Sequence, residues 1–222
     1  MKKVFIKSIG IVVMVVSSQA MSAGYAPWVG VDLNGIECRG GIPGSGPYDY
    51  RQRTSLTGEL KRVERRHFTQ KVEQLISGES TKDVMSDLDY TLRQWPNHHR
   101  ALYSMIEYQI RESKKYSRRK MIPAECYLQR AEKFSNKDIT VMILYALYLH
   151  RSGHLDLALK KYEEAEGTDE NNMQLKYNYA LLLVDLGKFD EAKEKAEFLY
   201  SKNFPLEGLK KRLSKAGHWN DE

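Results

Sequence analysis

Two pairs of histidines have a spacing at which two imidazoles could share a metal ion. His98 and His99 are adjacent in the segment PNHHR, and His150 and His154 lie four residues apart, about one turn of a helix. Imidazole nitrogens are common zinc and copper ligands. Adjacent histidines point in different directions from a helix, however, and the second pair has no acidic third ligand at a suitable spacing. We therefore expect no metal or other cofactor, keep metal binding as an alternative, and expect Asn97 to cap a helix.

The carboxylates and nucleophiles do not form a catalytic set. Acid–base catalysis needs carboxylates that converge in an apolar pocket. Asp83, Asp87 and Asp89 are close in sequence, but Asp87 and Asp89 flank Leu88 and would face different sides of a helix. The chain has no GxSxG motif and no Ser-His-Asp or Cys-His combination with a supporting spacing. The sequence therefore predicts that the protein is not an enzyme.

The segment CRGGIPGSGPYDYR, Cys38 to Arg51, is rich in glycine and proline. It lacks the Gly-Lys-Ser/Thr ending of a phosphate-binding loop, so we interpret residues 24–62 as an extended, turn-rich arm. The neighbouring aromatic residues predict that residues 24–58 lie along the helices, with polar contacts from Asp49 and Arg51. These aromatic residues are Tyr25, Trp28, Tyr48 and Tyr50.

The same arm supports an alternative hypothesis. Its segment Tyr48 to Arg51 could complete a pocket with His67 and His99, as in an envelope enzyme or a glycan-handling accessory protein. A closed, deep pocket that joins these residues would favour this alternative. An open groove would favour a binding protein.

Residues 1–23 have the pattern of a secretory signal peptide. Lys2, Lys3 and Lys7 precede or flank a short apolar block, and small residues follow it. We therefore expect a periplasmic or secreted protein without a stable membrane anchor after cleavage. Loss of these three lysines would lower the net charge from +6 to 6 − 3 = +3. This low charge argues against a nucleic-acid partner, and the basic runs KRVERR and KKYSRRK are interpreted as solvated surfaces.

The chain has two cysteines, Cys38 and Cys126. An even pair in an oxidising compartment is most simply explained by one disulfide. Spacing alone does not prove the pairing, so a free pair of thiols stays open. If it forms, the disulfide would tie the arm to the helical part of the chain.

A repeat of 34 residues stands in the second half of the chain. The segment YALYLHRSGHLDLALKKYE, from Tyr145, and the segment YALLLVDLGKFDEAKEKAE, from Tyr179, align without a gap. The shared glycines, Gly153 and Gly187, predict helix ends in the left-handed conformation. Asp156 and Asp190 are placed to cap the following helices. Shared alanines allow close packing of two helices: Ala146, Ala158, Ala180 and Ala192.

This period, with GHLDLA and GKFDEA at the turns, resembles the tetratricopeptide repeat (TPR) family. The resemblance implies an all-α fold, a right-handed TPR-like helical solenoid with a C-terminal capping helix and an extended N-terminal arm. The implied boundaries are degenerate helix pairs at residues 63–138, two well-formed units at residues 139–206, and a capping helix and tail at residues 207–222. Other segments, such as GPYDYR and GLKKRLSKAGHW, are similar to exported bacterial repeat proteins.

The resemblance also implies an inner groove lined mainly by the first helix of each pair. The groove would be apolar at its centre and charged at its ends, which suits a peptide strand or helix. The implied groove positions are Thr140, Ile143, Leu147, His150, Arg151, His154, Gln174, Tyr177, Leu181, Val184, Asp185 and Lys188.

We therefore expect a non-catalytic adaptor of the bacterial envelope. It would bind another envelope protein or a peptide segment in the groove and support a multiprotein assembly. Self-association through the edges of a solenoid is also open.

Overall fold

A computed structural model describes residues 25–80, 83–112 and 121–219, so the predicted signal peptide lies outside the described residues. These ranges contain ten α-helices and no β-strand, apart from one antiparallel bridge between Val31 and Glu37. The fold of the described chain is all-α, as predicted. The helices are α1 (Thr57–His67), α2 (Gln70–Glu73), α3 (Val84–Gln94), α4 (His99–Arg111), α5 (Ala124–Phe134), α6 (Ile139–Arg151), α7 (Leu155–Glu166), α8 (Met173–Asp185), α9 (Phe189–Ser201) and α10 (Gly208–Lys215).

The turns of the sequence repeat lie between α6 and α7 and between α8 and α9. Gly153 and Gly187 have φ angles of +83° and +73°, so they occupy the left-handed conformation that was predicted. The capping prediction was wrong: His154 and Lys188 occupy the cap positions, without a side-chain hydrogen bond. Asp156 and Asp190 lie in the first helical turn instead. Their negative charge interacts favourably there with the positive end of the helix dipole.

Each of these turns joins two helices that pack against each other. Contacts join α6 to α7 and α8 to α9, and further contacts join α7 to α8 and α6 to α8. The four alanines shared by the repeat are completely buried. Small side chains at these positions let the helix backbones approach closely, and the surrounding leucines and tyrosines fill the core. At the end, α10 packs on α8 and α9 through buried Leu209 and Leu213.

The first half of the chain is less regular. Helix α1 begins at Thr57, inside the segment interpreted as the arm, and packs on α3. Helix α2 is a single turn, and α3 begins only at Val84. Helix α4 contacts α3, α5 and α6, so it connects the two halves. The cap of α4 also differs from the prediction, because the side chain of His98, and not that of Asn97, accepts from the Ala101 N–H.

The arm lies along α3 and α5. The side chain of Trp28 packs edge-on against Tyr127, with ring centres 5.1 Å apart. The backbone of Tyr48 donates to the Gln94 carbonyl at 2.8 Å. Tyr50 is buried beside Trp95, but Tyr25 is 85% exposed and does not share the predicted docking role.

A disulfide joins Cys38 of the arm to Cys126 of α5, with 5.4 Å between the two Cα atoms. This Cα separation is ordinary for a disulfide. Both cysteines are buried. The disulfide therefore ties the arm to α5. The two cysteines are the sequence signal for this link. No helix of the described ranges is both long enough and apolar enough to cross a membrane.

Arg130 gives the arm a second anchor. Its side chain is 1% exposed and donates to the carbonyls of Ala26 and Leu92, at 2.9 and 2.7 Å. The guanidinium also lies over the Trp28 ring, 5.0 Å from its centre. Burial lowers the pKa of Arg130 to about 10, yet the group stays charged at neutral pH. One buried cation therefore holds both the arm and the C-terminal end of α3.

Candidate functional site

A cavity with a volume of about 1020 Å³ lies along α2, α4 and α6. Residues of α4 that recur at intervals of three or four positions form one wall, because such residues share a helix face. The cavity is open to solvent and has mixed chemistry: aromatic, charged, amide, hydroxyl and aliphatic. Its lining consists of Gln70, Glu73, Gln74, Leu75, His99, Arg100, Tyr103, Ser104, Glu107, Arg111, Thr140 and Leu144.

A second cavity, of about 530 Å³, continues along the same side of α6. Leu147 and Leu181 supply apolar surface from α6 and α8, and Asn178 supplies an amide. The full lining is Leu147, His150, Arg151, Leu155, Asn178, Leu181, Asp185 and Arg212. Glu107 lines the first cavity and Arg151 lines the second, and these two side chains form an ion pair. The two cavities therefore meet at this pair, and we call them together the groove.

A series of charged contacts joins each helix of the groove to the next. Arg100 of α4 donates to Glu73 of α2 with its Nε 2.7 Å from Oε1. Arg151 of α6 donates to Glu107 of α4 through two nitrogens. Such paired contacts between a guanidinium and a carboxylate fix geometry as well as charge.

The series continues to the C-terminal helix through Asp185 of α8. The Nε2 atom of His150 lies 2.8 Å from Asp185 Oδ2, and Arg212 of α10 donates to both oxygens of the same carboxylate. The bonds from Arg212, and then that from His150, hold the pKa of Asp185 below its usual value. The guanidinium of Arg151 likewise lowers the pKa of Glu107. The charges along the groove therefore largely neutralise one another.

The predicted groove residues divide into two sets in the structure. The structure brings together Leu147, His150, Arg151, Leu181 and Asp185 in the second cavity, and it places Thr140 in the first.

The other predicted positions lie elsewhere. Ile143 is 7% exposed and belongs to the core, whereas its neighbour Leu144 lines the groove. His154 is exposed at the cap of α7, and Lys188 pairs with Glu191 on the surface. The Tyr177 ring packs against Phe204, with ring centres 5.2 Å apart, and Val184 packs against the core. Gln174 is exposed and donates to Asn178.

Sequence reasoning missed most of the larger cavity. Tyr103 is 46% exposed there, and Arg100 and Arg111 stand on the same helix. The signal was available, because Arg100, Tyr103, Glu107 and Arg111 follow one another at intervals of three or four residues. It was hidden because the partner helix α2 is too short to show a repeat.

His67, His98 and His99 each have a carboxylate partner from another part of the chain. His67 lies 2.8 Å from Asp87, His98 lies 3.2 Å from Glu64, and the nearest oxygen of Asp138 is 2.9 Å from His99. Within the described ranges no group of three or more histidine, cysteine, aspartate or glutamate side chains is arranged to hold a metal ion.

The arm residues of the alternative pocket are packed against the helices. The ring of Tyr50 lies 4.2 Å from that of His98 and 5.2 Å from that of His99, measured between centres. Asn97 accepts from the Tyr50 N–H and donates to Asp49 and Asp138. His67 lies apart from this cluster, stacked on Tyr90 at 3.8 Å. The arm therefore contributes buried, packed side chains to the core beside the groove.

No protein-family model matches the chain, and no curated protein has a significant similarity to it.

Proposed function

We propose that the protein is a TPR-like envelope adaptor that binds a segment of another protein in the groove. In this proposal α6 to α9 are two helix-turn-helix units of a right-handed solenoid, α1 to α5 are degenerate units, and α10 is the cap. The 34-residue repeat, the paired packing of consecutive helices and the left-handed glycines support the fold. The disulfide and the predicted signal peptide support export.

The groove is the observation on which the function depends. It runs from α2 to α10 and is open, which suits a polypeptide better than an enclosed metabolite. Most of its charged groups are paired with one another, so a bound segment does not need a strong charge of its own. The amides of Gln70 and Gln74 and the hydroxyl of Thr140 can bond a peptide backbone, while Leu144, Leu147 and Leu181 offer apolar contact.

The function is non-catalytic in this proposal. Most charged groups of the groove are engaged in ion pairs between helices, and the arm cluster is packed as core. An adaptor needs a surface that is shaped in advance, and the charged series across the groove supplies one.

Photocrosslinking in the living cell tests the proposal. A photoreactive amino acid replaces Leu147, near the meeting point of the two cavities, and in a second strain it replaces Leu157, which is 44% exposed on α7. We expect one defined crosslinked product, identified by mass spectrometry, from the Leu147 probe and not from the Leu157 probe. Equal labelling from both positions, or no product from the groove, would contradict the proposal.

A further inference from the structure

The outward face of α1 is made of basic side chains. Lys61, Arg62, Arg65 and Arg66 are all exposed, whereas Leu60 and Val63 face the cluster of Tyr50 and Trp95. Around a helix with 3.6 residues per turn, the four bases occupy the side opposite the buried one. We call these four residues the basic face.

The basic face has no internal compensation. Within the described ranges no carboxylate lies within 4.0 Å of any of its four side chains. Glu64, the acidic residue in the middle of α1, is turned inward to His98 and Arg100. Some exposed lysines elsewhere pair along their helix, as Lys188 does with Glu191. The other acidic residue of α1, Glu59, lies in its first turn, so the four bases from the middle to the end of the helix share one face.

The basic face also opposes helix stability. Lys61 and Arg65 stand four residues apart, and so do Arg62 and Arg66. Like charges at this spacing destabilise a helix. The helix dipole favours bases in the last turn, which accounts for Arg65 and Arg66 but not for the two bases one turn earlier. A negatively charged ligand would turn this repulsion into attraction.

The shape of the surface selects the kind of ligand. The four bases lie outside the groove and outside the two smaller cavities beside α5, and they are exposed on a helix face where a small anion would stay in contact with water. Flexible polyanions are usually held in grooves that follow their backbone. A straight, outward helix face can instead meet many phosphates at once on a planar surface, and guanidinium groups suit phosphate geometry. We propose that the basic face binds the surface of a membrane that contains anionic phospholipids.

This contact would be reversible. A basic side chain near an anionic leaflet strengthens binding by about fivefold, and the effect is screened by salt. The four bases lie outside the groove lining, so the groove can stay accessible while α1 rests on the membrane. The inference does not depend on the adaptor proposal, because it uses no groove residue.

Vesicle flotation tests the inference. The purified, disulfide-bonded protein, in the form that accumulates in the producing cell, is mixed with vesicles of equal parts phosphatidylglycerol and phosphatidylcholine. We expect binding at low salt, loss of binding at high salt, and none to vesicles of phosphatidylcholine alone.

A matched pair of variants separates the basic face from net charge. The first variant combines Lys61→Gln, Arg62→Gln, Arg65→Gln and Arg66→Gln. The control removes the same number of charges at exposed positions on other parts of the surface: Lys133→Gln, Lys160→Gln, Lys202→Gln and Lys211→Gln.

We expect the first variant to lose at least about 10-fold in vesicle affinity and the control less than about threefold. The first variant should melt no lower than the original protein, because it removes like-charge repulsion. An equal loss in both variants would overturn the inference. So would absence of binding to anionic vesicles, or retention on immobilised polyphosphate without vesicle binding, which would assign the face to a soluble polyanion.

Discussion

Buried polar groups are distributed very differently in the two halves of the helical region. Among the described residues, ten buried polar or charged side chains lie between Asp87 and Asp138, whereas α6 to α9 contain one, Asn178. The C-terminal half is held by apolar packing that repeats with the sequence. The N-terminal half has an apolar core as well, but it adds buried polar contacts and one disulfide, each of which occurs once. Two different kinds of stabilisation thus support one groove.

Removing the disulfide should break the N-terminal half most strongly. Cys38→Ser with Cys126→Ser opens a loop with a sequence separation of 88 residues, and on the chain-entropy model we expect a loss of about 4.6 kcal/mol of unfolding free energy. Denaturant unfolding measures the loss. Hydrogen exchange should show faster exchange in the arm than in α8 and α9. Uniform acceleration in both halves would remove the distinction between them.

Arg130→Met should lower the unfolding free energy by about 3 kcal/mol, somewhat less than loss of the disulfide. The buried carbonyls of Ala26 and Leu92 would lose their donor. The matched change in the other half is Lys195→Met. Lys195 pairs with Glu166 at 2.6 Å near the surface, so we expect less than about 1 kcal/mol. Both values come from urea unfolding. Equal losses would mean that buried polar contacts are not special to the N-terminal half.

Ala180→Leu tests the apolar packing of the C-terminal half. Ala180 is completely buried within the repeat, so a larger side chain should overpack the helix contact and cost about 2 kcal/mol. Glu194→Leu, at an exposed position of the neighbouring helix α9, is the control and should change stability by less than about 0.5 kcal/mol. An unchanged stability of Ala180→Leu would show that the repeat packs loosely there.

His98 should make the N-terminal half sensitive to mild acid. Burial lowers the pKa of His98 below its usual value of 6.5, so the unfolded chain takes up a proton more readily than the folded one. The free energy of unfolding therefore keeps its full value above pH about 6.5, where His98 is neutral in both states. It falls as the pH drops below 6.5 toward the lower pKa of His98 in the folded protein.

Stability measured by denaturant between pH about 7.5 and 5.5 tests this expectation. His98→Asn keeps an acceptor for the cap and should flatten the decline, whereas His154→Asn, at an exposed position, should leave it unchanged. An unchanged decline in His98→Asn would assign the acid sensitivity to other groups.

The same contrast explains which features could be predicted. The repeat gave α6 to α9 and the left-handed glycines, because apolar periodicity and turn chemistry are local signals. Helix α1 was missed because Leu60 and Val63 are its main apolar positions among many charges. The contacts of Arg130 and Asn97 could not be found either, since they join residues 104 and 47 positions apart whose types carry no pairing signal.

The continuity of the groove across the two halves is the claim to test most directly. Photoreactive amino acids replace Tyr103, in the cavity of the N-terminal half, and Leu181, in that of the C-terminal half. We expect both probes to crosslink the same protein in living cells, at different points along one segment. Capture of unrelated proteins by the two probes, or capture by only one of them, would contradict a single groove.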